Sequence, residues 1–157
     1  MRCSGESWLS VLGKKRPTYL LITRQCLGGA MALTDVHHVV IRVEDFDSSV
    51  KNWESILGYS VSRIDQNQDL GIQQAFFDLP GGGFIEIVSP TDPEGAVGKA
   101  ISSRGEGIHT LSMSVDDLEE TTANLKESGV QLIGEGGPQV FIHPKSANGV
   151  LVQLSVK

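Results

Sequence analysis

Cysteine is scarce in this sequence: there are two, Cys3 and Cys26, both within the first thirty residues. That placement excludes a disulfide framework or a zinc finger and makes a reducing compartment the default. Long apolar runs are absent too, so no segment reads as a membrane span. Basic residues are outnumbered, 13 against 19 acids, giving a net charge of −6 at pH 7. Nucleic acid and anionic membranes are therefore poor partners. The remaining composition, 39% hydrophobic and 20% charged over 157 residues, is that of a globular chain. It is long enough for one domain or for two half-domains sharing a core.

Charge is unevenly spread. Residues 1–34 carry Arg2, Lys14, Lys15, Arg16 and Arg24 against one acid, Glu6. A basic, acid-poor leader of this kind fits a transit peptide, an unstructured extension, or a misplaced start codon with Met31 as the true start. The domain is accordingly expected over 35–157, in the cytoplasm, or in mitochondria if the leader is a genuine transit peptide.

Within that domain the sequence repeats itself. "VHHVVIRVED" (36–45) aligns with "IHTLSMSVDD" (108–117), placing His37 on His109, His38 on Thr110 and Asp45 on Asp117. Each copy begins with a β-branched alternating stretch, read as a strand. Each continues with apolar residues at helical spacing: Phe46, Val50, Trp53, Ile56 and Leu57 up to Gly58, and Leu118, Thr122 and Leu125 up to Gly129. Three further strands follow in each copy: "YSVSRID", "IQQAFFDLP" and "GFIEIVSP", then "VQLIG", "PQVFIHP" and "GVLVQLSV". "PGGG" (80–83) and "KSANG" (145–149) are the matching turns, and "TDPEGAVGKAISSRGEG" reads as a short connecting helix. The fold class expected is α+β: two βαβββ modules, about 35–90 and 107–156, paired into a curved eight-stranded cleft.

Alternate side chains of a strand share a face. The inward positions of the first and fourth strands of each copy are then His38, Glu86, Thr110 and Gln153. An imidazole and a carboxylate converging with two polar partners is the arrangement of a divalent metal site. The same alternation points His37 and His109 away from the cleft, unless a slip of register brings His109 inward and restores a metal ligand. "PGGG" lacks the spacing and context of a phosphate loop.

The stretches "HHVVIRVEDFDSSVKNWESILG", "IEIVSPTDPEGAVGKAISSRGEGIH", "VDDLEETTANLKESGVQLI" and "FIHPKSANGVLVQL" resemble the vicinal oxygen chelate superfamily, which includes glyoxalase I, extradiol dioxygenases and bleomycin-resistance proteins. Within it, "RGEGIH" and "HPKS" followed by "GVL" resemble the methylmalonyl-CoA epimerase branch. The resemblance implies a divalent ion (Co, Ni, Zn, Mn or Mg) stabilising an enolate, and two carboxylate bases on opposite faces of the α-carbon. It also implies an acyl-CoA or oxoacid substrate and a homodimer. The branch's ligands are His, Gln, His and Glu. Here His38 matches the first, and Glu86 stands where the epimerases have Gln and glyoxalase I has Glu. Thr110 stands where the third ligand, His, belongs. Gln153 stands at the Glu position, which is also a base position, and Gln74 at the second base position. Lys145 and Ser146 of "HPKS" are expected near the mouth of the cleft, contacting a substrate phosphate or carboxylate, with Thr110 as a further substrate contact. Two readings follow: a lyase or isomerase with altered ligand and base positions, or a metal-independent small-molecule-binding protein on the same scaffold.

Overall fold

The computed structural model describes residues 33–137 and 139–156, so all but the end of the leader lies outside the described residues. Eight strands form one sheet: β1 (Val36–Arg42), β2 (Arg63–Asn67), β3 (Ile72–Asp78), β4 (Phe84–Pro90), β5 (Gly107–Val115), β6 (Leu132–Ile133), β7 (Val140–Ile142) and β8 (Val152–Val156). Among the described residues three α-helices accompany them: α1 (Phe46–Leu57), α2 (Ala96–Arg104) and α3 (Leu118–Glu127). The sheet order is β2-β3-β4-β1-β5-β8-β7-β6. Each half thus has the same internal order, and the halves meet where β1 runs antiparallel to β5. The pairs flanking that junction, β1–β4 and β5–β8, are both parallel. Glu86 lies across from Val40 and Gln153 across from Ser112, the pairing expected of equivalent repeat positions. The paired βαβββ architecture is the one expected.

The two helix faces build two cores. Phe46 and Val50 of α1 pack with Ala75, Phe77 and Ile87, the last three fully buried, and Trp53 and Leu57 close the cluster. Leu118 and Leu125 of α3 pack against Val115, Val140, Val152 and Leu154. Thr121 rather than Thr122 is the buried threonine of α3. Helix α2 does something different: Val97 and Ile101 pack against Val40, Ile72 and Val88. Those strand residues alternate with Ile87 and Ala75 and so occupy the opposite face. α2 therefore covers part of the face that α1 and α3 leave free.

Local chemistry sets the ends of the helices. Asp45 and Asp117, equivalent in the repeat, are both N-caps: Asp45 accepts from the Ser48 N–H and Asp117 from the Glu120 N–H. Gly58 ends α1 in the left-handed region at φ 78°, which a side chain would strain. Two expected strands are shorter than their sequence pattern. Residues 59–62 do not join β2: the Val61 N–H is held by the Glu54 carboxylate and the Tyr59 hydroxyl donates to the Asp78 carbonyl, tying the segment back to α1 and β3. β6 is reduced to Leu132–Ile133 because the Gln131 N–H is taken by the Ser146 hydroxyl.

Because the two aspartates cap helices of separate halves, Asp45→Ala and Asp117→Ala should each cost about 1 kcal/mol, and the double variant about their sum. Urea denaturation of the three variants checks this; a strongly non-additive double variant would contradict independent caps.

Candidate functional site

The sheet face opposite α1 and α3 holds a cavity of about 420 Å³. Its walls are mixed. Apolar surface comes from Leu70, Ile72, Val88, Val97, Phe141 and Leu151. Polar atoms come from His38, Gln74, Glu86, Thr110 and Gln153, so five residues singled out in the sequence share one cleft. Strand alternation explains it: His38, Glu86, Gln74, Thr110 and Gln153 all fall on the parity opposite to the helix-packed residues of their strands.

Glu86 is 8% exposed and, among the described residues, is the one carboxylate lining this cavity. Gln74 Nε2 donates to its Oε1 at 2.5 Å, which fixes the orientation of the carboxyl group. His38 Nε2 lies 3.6 Å from the other oxygen, beyond hydrogen-bond length. Burial pushes the Glu86 pKa up, against the lowering influence of the Gln74 hydrogen bond and of Arg63. His38 is pushed the other way, from 6.5 to about 4, first by burial and then by its neighbour His37. At neutral pH the contact is therefore not an ion pair: a neutral imidazole faces the carboxyl group. The His38 ring stacks on Phe84 with centroids 4.3 Å apart, and its Nδ1 lies 2.7 Å from His37 Nδ1 in a hydrogen bond. That bond leaves Nε2 directed to the carboxyl side.

The β1–β5 ladder carries two irregularities. Between Val36 and His38 the partner advances by one residue, from Met113 to Ser112, so His37 is the extra residue. Between Val40 and Ile41 the partner advances from Thr110 to Ile108, so His109 is the extra residue. The two bulges fall at equivalent repeat positions. A bulge re-aims side chains that simple alternation would send elsewhere. This corrects the expectation for His109, which lines the cavity beside Thr110 instead of pointing away. His37 does not line it; it borders a separate groove with Asp35, Asp78 and Phe84. The second bulge is anchored by Arg42, whose Nε donates to the Gly105 carbonyl at 2.7 Å and whose other guanidinium nitrogen donates to the Ile108 carbonyl. Gly107, at φ 141°, supplies the backbone conformation that this corner requires.

Lys145 and Ser146 lie on an exposed 3-10 turn, Pro144–Ser146, outside the cavity lining. The Ser146 hydroxyl accepts from the Gln131 N–H and the Lys145 N–H donates to His143 Nδ1, so both hold the turn itself. Sequence reasoning missed Phe141, Leu70 and Leu151 as walls and Phe84 as the platform for His38. Alternation within the fourth strand, which singled out Glu86, also places Phe84 on its face. The bulges leave no such signature.

A single eight-stranded sheet of paired βαβββ modules, with a histidine and a carboxylate in one cavity, defines a class of protein, and comparison agrees with it. Residues 37–146 match the model of the Glyoxalase/Bleomycin resistance protein/Dioxygenase superfamily, and the chain belongs to that superfamily. It is 29% identical over 128 residues to an ethylmalonyl-CoA/methylmalonyl-CoA epimerase of Cereibacter sphaeroides, covering 76% of this chain and 95% of that one. It is 28% identical over 138 residues to the human mitochondrial methylmalonyl-CoA epimerase, covering 83% of this chain and 78% of that one. The crystal structure of methylmalonyl-CoA epimerase from Mycobacterium tuberculosis superimposes with a TM-score of 0.72 at 32% identity, covering 82% of this chain and 91% of that one.

The family resemblance implies a divalent ion, and the residues present can be tested against it. Tight transition-metal sites use three or four strong donors. Among the described residues no group of three or more His, Cys, Asp or Glu is placed to hold an ion. His38 and Glu86 are a pair, His109 lines the same cavity without being grouped with them, and Thr110 and Gln153 add only neutral oxygens. The donor set does not fit a tightly held ion.

His38 gives a direct check on this geometry. Its folded pKa of about 4 lies below the unfolded 6.5, so the unfolded chain binds the proton first. Its contribution to stability falls as pH drops through that window, by about 3 kcal/mol in all; Glu86, shifted upward, works in the opposite sense. A histidine NMR titration should find His38 with a midpoint near 4, and a midpoint near 6.5 would contradict its enclosure.

Proposed function

We propose that this chain acts on a small acyl-CoA or oxoacid held in the cleft, moving a proton at the carbon beside a carbonyl, with Glu86 as the acid–base group. One observation carries the reading: a buried carboxyl group, oriented by Gln74 Nε2 and facing His38, on the floor of a cavity with apolar walls. Epimerases with the same fold act, by their names, on ethylmalonyl-CoA or methylmalonyl-CoA. A carbon next to a thioester or keto group releases a proton when the electron pair can move onto the carbonyl oxygen. A carboxylate whose pKa is raised toward the working pH is well matched to accept that proton and return it. The Thr110 hydroxyl and the Gln153 amide, both lining the same cavity, are donors able to face an oxygen on which negative charge develops.

The two amides limit the outcome. Gln74 and Gln153 cannot accept a proton at neutral pH, so two-carboxylate inversion of the α-carbon has no second carboxylate here. A proton taken by Glu86 returns from the side it left. Exchange with solvent should therefore run well ahead of inversion. The second reading is ligand binding without chemistry, and the same two amides favour it.

Incubation with methylmalonyl-CoA in deuterated water separates the two, with mass spectrometry following deuterium at the α-carbon and chiral analysis following inversion. Protein-dependent exchange that outpaces inversion, slowed about a hundredfold or more by Glu86→Gln, is the expected result. Binding by isothermal calorimetry with no exchange would support the binding-protein reading. Exchange unaffected by Glu86→Gln would remove Glu86 from its role.

A further inference from the structure

Polarity in the cleft runs the reverse of an ordinary surface. Its polar residues Glu86 and Thr110 are buried, at 8% and 3% exposure. Its exposed rim carries two large apolar side chains, Leu70 at 46% and Ile133 at 42%. Single exposed apolar residues are common on any surface. Among the described residues, however, the other large exposed hydrophobics all lie outside this lining. The rim's polar neighbours, Asn67 and Gln139, are neutral, and no lysine or arginine lines the cleft. The rim therefore offers an apolar surface to an occupant and no countercharge to an anionic one.

The backbone under both residues is held by the fold. Leu70 sits in the turn between β2 and β3, where its N–H donates to Asn67 Oδ1 at 3.0 Å. The carbonyl of the next residue, Gly71, accepts from the Thr91 and Asp92 N–H groups at 2.8 and 3.1 Å. Gly71 is at φ 61°, and a Cβ there would meet Asp92 at 2.7 Å, so the turn is closed against that segment. On the other side Ile133 lies opposite Phe141, and Phe141 lies opposite Gln153. Directly opposed residues of antiparallel strands share a face, so an apolar ladder leads from Gln153 outward to Ile133. β2 and β6 stand at opposite edges of the sheet, yet Leu70 and Ile133 line one cavity. They are two sides of one opening.

We infer that Leu70 and Ile133 are specificity-determining residues, and that the compound they select is a carbonyl compound whose aliphatic chain is longer than an ethyl group. The carbonyl end meets the polar floor, and the chain runs outward between the two side chains. A small head group alone reaches only the floor. A longer chain also covers Leu70, Ile133 and Phe141 and removes their surface from water. The cavity, about 420 Å³, is of a size that encloses a whole small molecule. This rests on the reading of the cleft as a site for carbonyl compounds that give up an α-proton, and it deepens that reading by naming the class of compound. Acyl thioesters and 2-oxoacids share the required chemistry.

The test measures affinity on the full chain by isothermal calorimetry across two series of probes: acetyl-, butyryl- and hexanoyl-CoA, and pyruvate, 2-oxobutyrate and 2-oxohexanoate. The expected result is binding that tightens about threefold for each added methylene in at least one series. The double variant Leu70→Ser with Ile133→Thr should blunt that rise, the longest probe losing about tenfold more affinity than the shortest. Ile56→Ser, which replaces an exposed apolar residue of α1 outside the cleft, should leave the rise intact. All three positions are exposed, so both variants should melt near the wild-type temperature. Affinity independent of chain length, an undiminished rise in the double variant, or a blunting that Ile56→Ser reproduces would overturn the inference. Deuterium exchange at the α-carbon of the shortest probes would then leave the reading of the cleft standing. No wild-type binding to any of the six probes would overturn both. A rise confined to one series identifies whether the thioester or the oxoacid is the compound selected.

Discussion

The antiparallel pairing of β1 with β5 is the contact on which the rest of the molecule depends. It joins two modules, each of which would otherwise leave one sheet face and one strand edge uncovered. It places His38 opposite Ser112 and Val40 opposite Thr110, so both first strands present the same parity to one face. Helices α1 and α3 take the other face and bury it in two separate cores. The cleft is what remains, floored in part by α2 against Val40, Ile72 and Val88. Its chemistry therefore follows from a register: a one-residue slip would exchange the cleft residues for core residues along the strand.

The two bulges in that ladder add what simple pairing cannot. They let consecutive residues, His37 with His38 and His109 with Thr110, bear on neighbouring surroundings instead of opposite faces. In the first half the result is a closed arrangement, with His37 bonded to His38, His38 stacked on Phe84, and Gln74 bonded to Glu86. In the second half it is open, with His109 Nδ1 unpaired beside a threonine. The halves share a scaffold and differ in their degree of internal satisfaction.

Much of this was legible in the sequence. Period-two alternation in "HHVVIRV" and "GFIEIVS", together with the repeat, identified the fold and brought His38, Gln74, Glu86, Thr110 and Gln153 to one cavity, because parity survives folding when register is set by burial. The caps Asp45 and Asp117 were visible as equivalent positions. Three things were not. His109 was read outward because a bulge inserts a residue without altering composition or periodicity. The β-rich look of "YSVSRID" hid the fact that Glu54 and Asp78 claim its backbone and its tyrosine. Lys145 and Ser146 were expected at the cleft on kinship alone, whereas their backbone and hydroxyl contacts are spent on holding the Pro144 turn and the Gln131 strand end.

We propose that this cleft is not a tight metal site, because Thr110 and Gln153 put neutral oxygens where the resemblance implies an imidazole and a carboxylate. Metal content tests it most directly. Wild type, Thr110→His, and the double variant Thr110→His with Gln153→Glu would be purified from cobalt-supplemented medium, and bound ions counted per chain by plasma mass spectrometry. The expected result is well below one ion per chain in wild type, rising toward one in the double variant as a second imidazole and a second carboxylate join His38 and Glu86. One tightly held ion per wild-type chain would contradict the claim.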